Sequence, residues 1–435
     1  MPLIDDHTAR LNELLRDPVL SGAMVGVCVQ DENGKVVFQR DSDKRFLPAS
    51  NGKILTCLFA FEELGASWAG LTRVWKEGKR VEVDTTGDPT LTLGQLRRVR
   101  KKLSLFDGWP VCVHGAGPPT LGMGWEWDDL PWYYAAPVTL FAFDRGQFEA
   151  WSDNGRVLPL APELQVKVVV EPGSKREAEY DPKTRTLTVS SLGKDKKKLG
   201  SFAIGDPLRS AALALGGALR ECSDPLPRRT PDAEISGQTL AVGVKECLEK
   251  SDNYMAEQYL LLAAARAKPG HTNPAQVEKE CLAKWTGASL EDFRPVDGSG
   301  LSRHNQVTPR ALCTMLRWAL TRPYAGQWIE ALAAGGEGTL GSRLKSSSFV
   351  GKTGTMDAVV CLSGYVTTRD KKRWTLSCLV NNSLVPASQI RDVQDRIVRI
   401  LEETTVDHGI NSAIASLESP LSFSLHRPAR RNWLP

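Results

Sequence analysis

Residues 48–55 read Pro-Ala-Ser-Asn-Gly-Lys-Ile-Leu, placing a serine three positions ahead of a lysine where a long apolar run begins. Apolar residues follow at 54, 55, 58, 59 and 61, and the pattern stops at Gly65, which predicts a helix with Ser50 and Lys53 in its first turn. Side chains at i and i+3 share a helix face, so the hydroxyl and the amine can touch. A serine hydroxyl is a weak nucleophile until a base takes its proton. An amine desolvated among apolar residues has its pKa lowered enough to be that base. The pair therefore points to acyl transfer.

The same spacing occurs at Ser191–Lys194 and Ser342–Lys345, and context separates the three. Ser191 lies between a strand-like Thr-Leu-Thr-Val and a lysine-rich run, as an exposed turn would. Ser342 has no long apolar run after it. Only Ser50 opens a buried-helix pattern.

The chain's 435 residues allow two domains, and its composition, 41% hydrophobic and 24% charged, is that of a soluble globular protein. A formal charge of +4 gives no ground for nucleic acid or a membrane surface as a partner. Every apolar run is interrupted before the ~18 residues a membrane helix requires. Residues 1–7 have neither the basic nor the apolar region of a secretory signal, which on its own reads as a cytoplasmic start. The nine cysteines include no Cys-x-x-Cys, and Cys28, Cys57, Cys361 and Cys378 sit in apolar runs as small core residues. Neither a zinc site nor a disulfide framework is expected, and no cofactor is.

Taken in order, the chain predicts an amphipathic helix over 8–16 and a hairpin of 24–30 with 35–40 around Asp31-Glu32-Asn33-Gly34; the Ser50 helix follows. From about 71 to 240 the texture becomes short strands and turns, with a helix expected from Pro207 to Glu221. Trp125, Trp127 and Trp132 in this segment are read as core rather than as a carbohydrate platform. From Gly243 the chain is helical, and Ser251-Asp252-Asn253 precedes an apolar helix; a second Ser-Asp-Asn at Ser152 reads as a turn closed by Gly155 and Pro159. A turn at Asp297-Gly298-Ser299-Gly300 and a helix from Pro309 to Leu320 come next. Three strands follow, the first carrying Lys352-Thr353-Gly354-Thr355, and then an amphipathic helix over 388–404. Residues 418–435 lack periodicity and are expected to form a mobile tail.

Ser-x-x-Lys, Ser-Asp-Asn and Lys-Thr-Gly thus stand in order on a helix start, a helix-flanking loop and a strand. In this the chain resembles the D-alanyl-D-alanine carboxypeptidase/endopeptidases, the low-molecular-mass class C penicillin-binding proteins. Phrases such as Gly87-Asp88-Pro89, Gly124-Trp125-Glu126-Trp127, Asp297-Gly298-Ser299-Gly300 and Gly338-Thr339-Leu340 extend the resemblance over most of the chain. The resemblance implies an α+β fold: a serine β-lactamase/penicillin-binding transpeptidase-like domain, its antiparallel sheet flanked by helices, with a β-rich inserted domain. The catalytic domain is expected to comprise 1–70 and 241–417, and the insertion 71–240. Ser251 follows Ser50 by 201 positions, which implies that one of the family's two inserted domains is reduced or absent.

The roles implied by the resemblance are Ser50 as nucleophile, Lys53 as base, Ser251 as proton relay, Asn253 on the substrate amide, and Lys352, Thr353, Gly354 and Thr355 at the terminal carboxylate, with the N–H groups of Ser50 and Thr355 as oxyanion hole. Peptidoglycan peptides and β-lactams are the implied partners, and the cell envelope, periplasmic or extracellular, the implied location. Two other readings stay open. A β-lactamase would need a glutamate to activate the deacylating water; Glu280 and Glu291 are the nearest candidates, but neither lies in an E-x-x-L-N context. A catalytically dead peptidoglycan-binding relative would fail to react with penicillin.

Overall fold

The computed structural model describes residues 4–172, 176–222 and 224–405; the expected tail, and the last residues assigned to the catalytic domain, lie outside the described residues. The N-terminal helix and the first hairpin form as expected. Helix Ile4–Leu14 is followed by strands Met24–Gln30 and Val36–Arg40. The turn between them is held by Asp31 Oδ1, which accepts the N–H groups of Asn33 and Lys35, each at 2.9 Å.

These strands join residues more than 300 positions away. The central sheet runs, in spatial order, Ala333–Ala334, Val350–Met356, Val359–Thr367, Arg373–Asn381, Met24–Gln30 and Val36–Arg40, all antiparallel. Both faces are covered, so strands Val359–Thr367 and Arg373–Asn381 are buried along almost their whole length. On one face Val25, Val27 and Val29 pack with Leu11 and Leu14 of the first helix and with Ile390, Val393 and Ile397 of helix Ala387–Glu402. On the other lie helices Gly52–Leu64, Asn253–Ala267 and Pro309–Ala319, whose core includes Ile54, Leu58, Met255, Leu260, Leu312 and Leu316. Among the described residues no helix is long and apolar enough to cross a membrane.

Residues 69–239 build a second core around a five-stranded mixed sheet: Gly217–Arg220, Trp109–His114, Arg80–Thr85, Ala69–Glu77 and Ala233–Thr239 in spatial order. Two three-stranded sheets, from within 147–203, accompany it. Val74, Val83, Val111 and Phe141 are buried together with Leu96 and Ala211, which come from helices Leu93–Leu103 and Pro207–Ala214.

The expected helix from Pro207 to Glu221 is cut short. Gly216 takes φ +91°, and the chain turns into strand Gly217–Arg220. Gly217 is needed there because a Cβ would lie 2.2 Å from the Trp109 carbonyl oxygen. The tryptophans also divide. Trp132 stacks on Phe202 at 5.6 Å and Trp125 is half-buried, but Trp127 is 72% exposed, with Lys183 Nζ 4.5 Å from its ring centre. Trp127 is therefore not core, because the loop carrying it lies outside the strand ladders.

The two cores meet along helix Asn253–Ala267. Tyr254 Oη and Gln258 Nε2 both donate to the Thr139 carbonyl, at 3.0 and 2.5 Å, and Tyr254 packs on Ala136, Val138 and Ala203. The segment around residues 125–147 thereby reaches the cleft at the head of this helix.

Candidate active site

Ser50 sits in a short 3-10 turn, Ala49–Asn51, that leads into helix Gly52–Leu64. Ala49 is held at φ +47°, a left-handed conformation that costs an alanine roughly 1–2 kcal/mol and persists only where packing over-determines it. Two glycines supply that packing. At Gly300 (φ +81°) a Cβ would lie 1.9 Å from the Ala49 carbonyl oxygen. At Gly354 it would lie 2.7 Å from the Pro48 carbonyl oxygen and 3.1 Å from Ser50 N. Gly354 thus lets strand Val350–Met356 pass directly beside Ser50.

At the second position of that helix, Lys53 is fully buried. Its Nζ lies 3.1 Å from Ser50 Oγ, 2.6 Å from Asn253 Oδ1 and 2.7 Å from the Ser299 carbonyl oxygen. Burial lowers the Lys53 pKa below that of an ordinary lysine, against the opposing pull of nearby carboxylates including Asp297 and Glu257.

The Ser299 carbonyl is aimed by a rigid loop. Glu257 accepts the N–H groups of Gly298 and Ser299 at 3.0 and 2.8 Å, and Asp297 accepts those of Gly300 and Ser302 at 2.8 and 2.6 Å. Burial, with Asp297 beside it, pushes the Glu257 carboxyl up to about 7.

Ser251 occupies the joint between helices Leu240–Lys250 and Asn253–Ala267, at φ +58°. Asp252 caps the second helix by accepting Met255 N–H at 2.9 Å, and Arg145 Nη1 reaches Asp252 at 3.1 Å and also pairs with Glu246. These contacts fix the joint. Lys352 Nζ donates to Ser251 Oγ at 2.9 Å and to the Thr353 carbonyl at 3.0 Å. Burial first, and the charge of Lys53 second, push the Lys352 amine down to about 7. Residues alternate along a strand, so Gly354 follows Lys352 on the same face. Thr353 Oγ1 donates to Thr339 Oγ1 at 2.7 Å, and Thr355 Oγ1 accepts from Arg391 at 3.1 Å.

Ser50, Ser251, Asn253 and Thr355 line a cavity of about 600 Å3, together with Tyr134 and Asp129. Seven of the eight residues singled out in the sequence therefore come together at one cleft, whereas the Thr353 hydroxyl bonds Thr339, outside the cavity lining. The two lysines lie beneath its surface. Lys352 reaches the cavity through Ser251, and Asn253 gives its oxygen to Lys53 and one amide proton to the Tyr134 carbonyl at 2.9 Å. The other Ser-x-x-Lys serines, Ser191 and Ser342, are exposed and outside regular elements, and Ser152 lies in strand Gln147–Asp153.

Sequence reasoning missed the Ser299 and Tyr134 carbonyls, Glu257, Arg145 and Arg391, which serve the site through contacts made only on folding. Glu280 and Glu291 are both exposed and neither lines the cavity. The buried Glu278 is occupied by Thr56 Oγ1 at 2.8 Å.

The chain is 29% identical over 445 residues to a D-alanyl-D-alanine carboxypeptidase of Actinomadura sp. (strain R39), covering 84% of this chain and 80% of that protein. It is 24% identical over 419 residues to the D-alanyl-D-alanine carboxypeptidase DacB of Haemophilus influenzae, covering 84% and 85%. The crystal structure of penicillin binding protein 4 from Haemophilus influenzae superposes with a TM-score of 0.77 at 21% identity, over 91% of this chain and 99% of that one. The model of the D-Ala-D-Ala carboxypeptidase 3 (S13) family matches residues 7–157 and 217–404 and passes over the segment between them. With that match spanning most of its length, the chain belongs to the D-Ala-D-Ala carboxypeptidase 3 (S13) family.

Proposed function

We propose that the protein is a serine-type D-Ala-D-Ala carboxypeptidase that works through an acyl-enzyme on Ser50. The observation that carries this reading is the buried Lys53 amine 3.1 Å from the Ser50 hydroxyl, in a cavity large enough for a peptide end. Neutral Lys53 takes the hydroxyl proton as Ser50 Oγ bonds to the carbonyl carbon of the terminal D-Ala-D-Ala bond. The N–H groups of Ser50 and Thr355 receive the developing oxyanion. As the C–N bond breaks, the departing D-alanine amine takes a proton by way of Ser251, whose hydroxyl is held by Lys352. Water then hydrolyses the ester.

Thr353 and Thr355 receive the terminal carboxylate, with Lys352 and Arg391 supplying positive charge behind them. Asn253 positions Lys53 with its oxygen and offers its remaining amide proton to the substrate. The substrate is a peptidoglycan stem peptide, which places the working site in the cell envelope.

D-alanine release from a peptide ending in D-Ala-D-Ala tests the reading. Release blocked by penicillin is expected; no release from such a peptide would refute it. The pH dependence has a defined sign. Only unprotonated Lys53 can act as base, so kcat/KM rises with pH as Lys53 loses its proton, below the pH an ordinary lysine would need. A flat profile through this range would remove Lys53 from the base role.

Gly354 gives a second check. Gly354→Ala forces strand Val350–Met356 away from Ser50 N, and a misplacement on the order of 1 Å costs about 10²-fold in rate. Penicillin acylation is expected to fall by about that factor while the protein still melts cooperatively. Unchanged acylation would mean that the strand does not help to form the site.

A further inference from the structure

Three potential metal ligands converge in the five-stranded sheet, away from the serine cleft. Cys112 and His114 lie two residues apart on strand Trp109–His114, so they share a face of the sheet. Strand Gly217–Arg220 runs parallel beside them with Arg220 opposite Cys112. Continuing that register by two residues brings Cys222 level with His114. The three ligand atoms, two sulfurs and one ring nitrogen, all lie within 4.8 Å of one another.

On the other side, strand Arg80–Thr85 places Glu82 opposite Cys112. Glu82 is 1% exposed, and its Oε2 lies 2.9 Å from His114 Nε2. Its other oxygen pairs with Arg80 Nε at 2.7 Å. With Nε2 engaged by the carboxylate, Nδ1 is left as the imidazole's ligand atom. A carboxylate behind a ligating histidine fixes the ring and raises its basicity, as in many metal sites.

We propose that Cys112, His114 and Cys222 form a site for a zinc-class divalent cation, with Glu82 as the positioning residue behind the imidazole. Two thiolates and an imidazole select a borderline-soft metal over magnesium or calcium, which take oxygen ligands. Tetrahedral zinc with these ligands needs them about 3.5–4 Å apart, so the cluster closes by roughly 1 Å. Cys222 is exposed and can supply that movement, whereas Cys112 is buried in the sheet. The fourth position then faces solvent and takes water. Binding releases the thiol protons to solvent and involves no redox step. The metal ties the edge strand and the chain leaving it to the middle of the sheet.

The test uses the full chain, reduced, stripped with chelator and reloaded. One equivalent of zinc is expected after gel filtration, with a raised melting temperature. Cobalt(II) in its place should give the thiolate-to-metal charge-transfer band, and magnesium should give neither effect. Cys112→Ser and Cys222→Ser should lose the stoichiometric zinc and the cobalt band yet still be acylated by penicillin, which shows that they fold. Glu82→Gln should bind zinc about 10- to 100-fold more weakly. Cys281→Ser, outside the cluster, should bind as the wild type does. The proposal is overturned if the reduced protein takes up no zinc, or if the Cys112→Ser/Cys222→Ser double variant keeps it. It is also overturned if mass spectrometry finds a Cys112–Cys222 disulfide and the reduced form then fails to bind the metal.

Discussion

Ser50→Ala is expected to form no covalent adduct with penicillin while melting with the wild-type protein. Lys53→Ala is expected to keep the nucleophile and acylate at least ~10³-fold more slowly. The two variants remove different things. The first deletes the hydroxyl that lies 3.1 Å from the buried amine, and a methyl group there leaves the half-buried turn intact. The second deletes the amine itself, along with its contacts to Asn253 and Ser299. Because those contacts also organise the site, Lys53→Arg is the sharper control. It keeps a cation in place but cannot give up its proton near neutral pH, so it should acylate no better than Lys53→Ala. Stopped-flow or gel-based acylation with a reporter penicillin measures both, and near-normal rates in either lysine variant would transfer the base role towards Ser251.

The second large effect lies in the fate of the acyl-enzyme. A peptide substrate leaves with its D-alanine and opens the site to water, whereas an opened β-lactam keeps its leaving group tethered beside the ester. Attack on that ester needs a base dedicated to the water. Glu280 and Glu291 are exposed away from the cavity, and the buried Glu257 and Glu278 are hydrogen-bonded into the scaffold and do not line it. The penicilloyl-enzyme is therefore expected to persist, with a half-life on the order of minutes or longer, while peptides ending in D-Ala-D-Ala turn over. Intact-protein mass spectrometry after a penicillin pulse, run beside a D-alanine release assay, tracks both. Rapid loss of the adduct with catalytic penicillin hydrolysis and no D-alanine release would make the protein a β-lactamase in function.

The parts of this site that are readable in the sequence share one property: each is local. Ser50 and Lys53 lie one helical turn apart, Ser251 and Asn253 flank a single helix start, and Lys352 to Thr355 occupy one strand. Strong periodicity in the elements behind them, such as Ile390, Val393 and Ile397 in the last helix, makes the catalytic fold legible as well. The remainder depends on contacts across the chain. The Ser299 carbonyl becomes a lysine ligand only because Glu257 and Asp297 hold its loop.

Helix Leu93–Leu103 is hard to see in the sequence because it buries only Leu96 and Val99 and carries Gly94 near its start. Its capping box, Thr92 with Gln95, is the available local signal. The cysteines show the same limit. Local spacing gives no zinc pattern, and Cys112, His114 and Cys222 become neighbours only through the parallel pairing of two strands.

The acyl-enzyme mechanism requires Ser50 to be the acylated residue, and peptide mapping of the penicilloyl-protein decides the point. The wild-type chain is treated with penicillin, quenched, digested and sequenced by tandem mass spectrometry. A single adduct, of the full mass of the opened β-lactam, is expected on the Ser50 hydroxyl. An adduct on Ser191, Ser342 or Ser251, or no adduct on a folded protein, would contradict it.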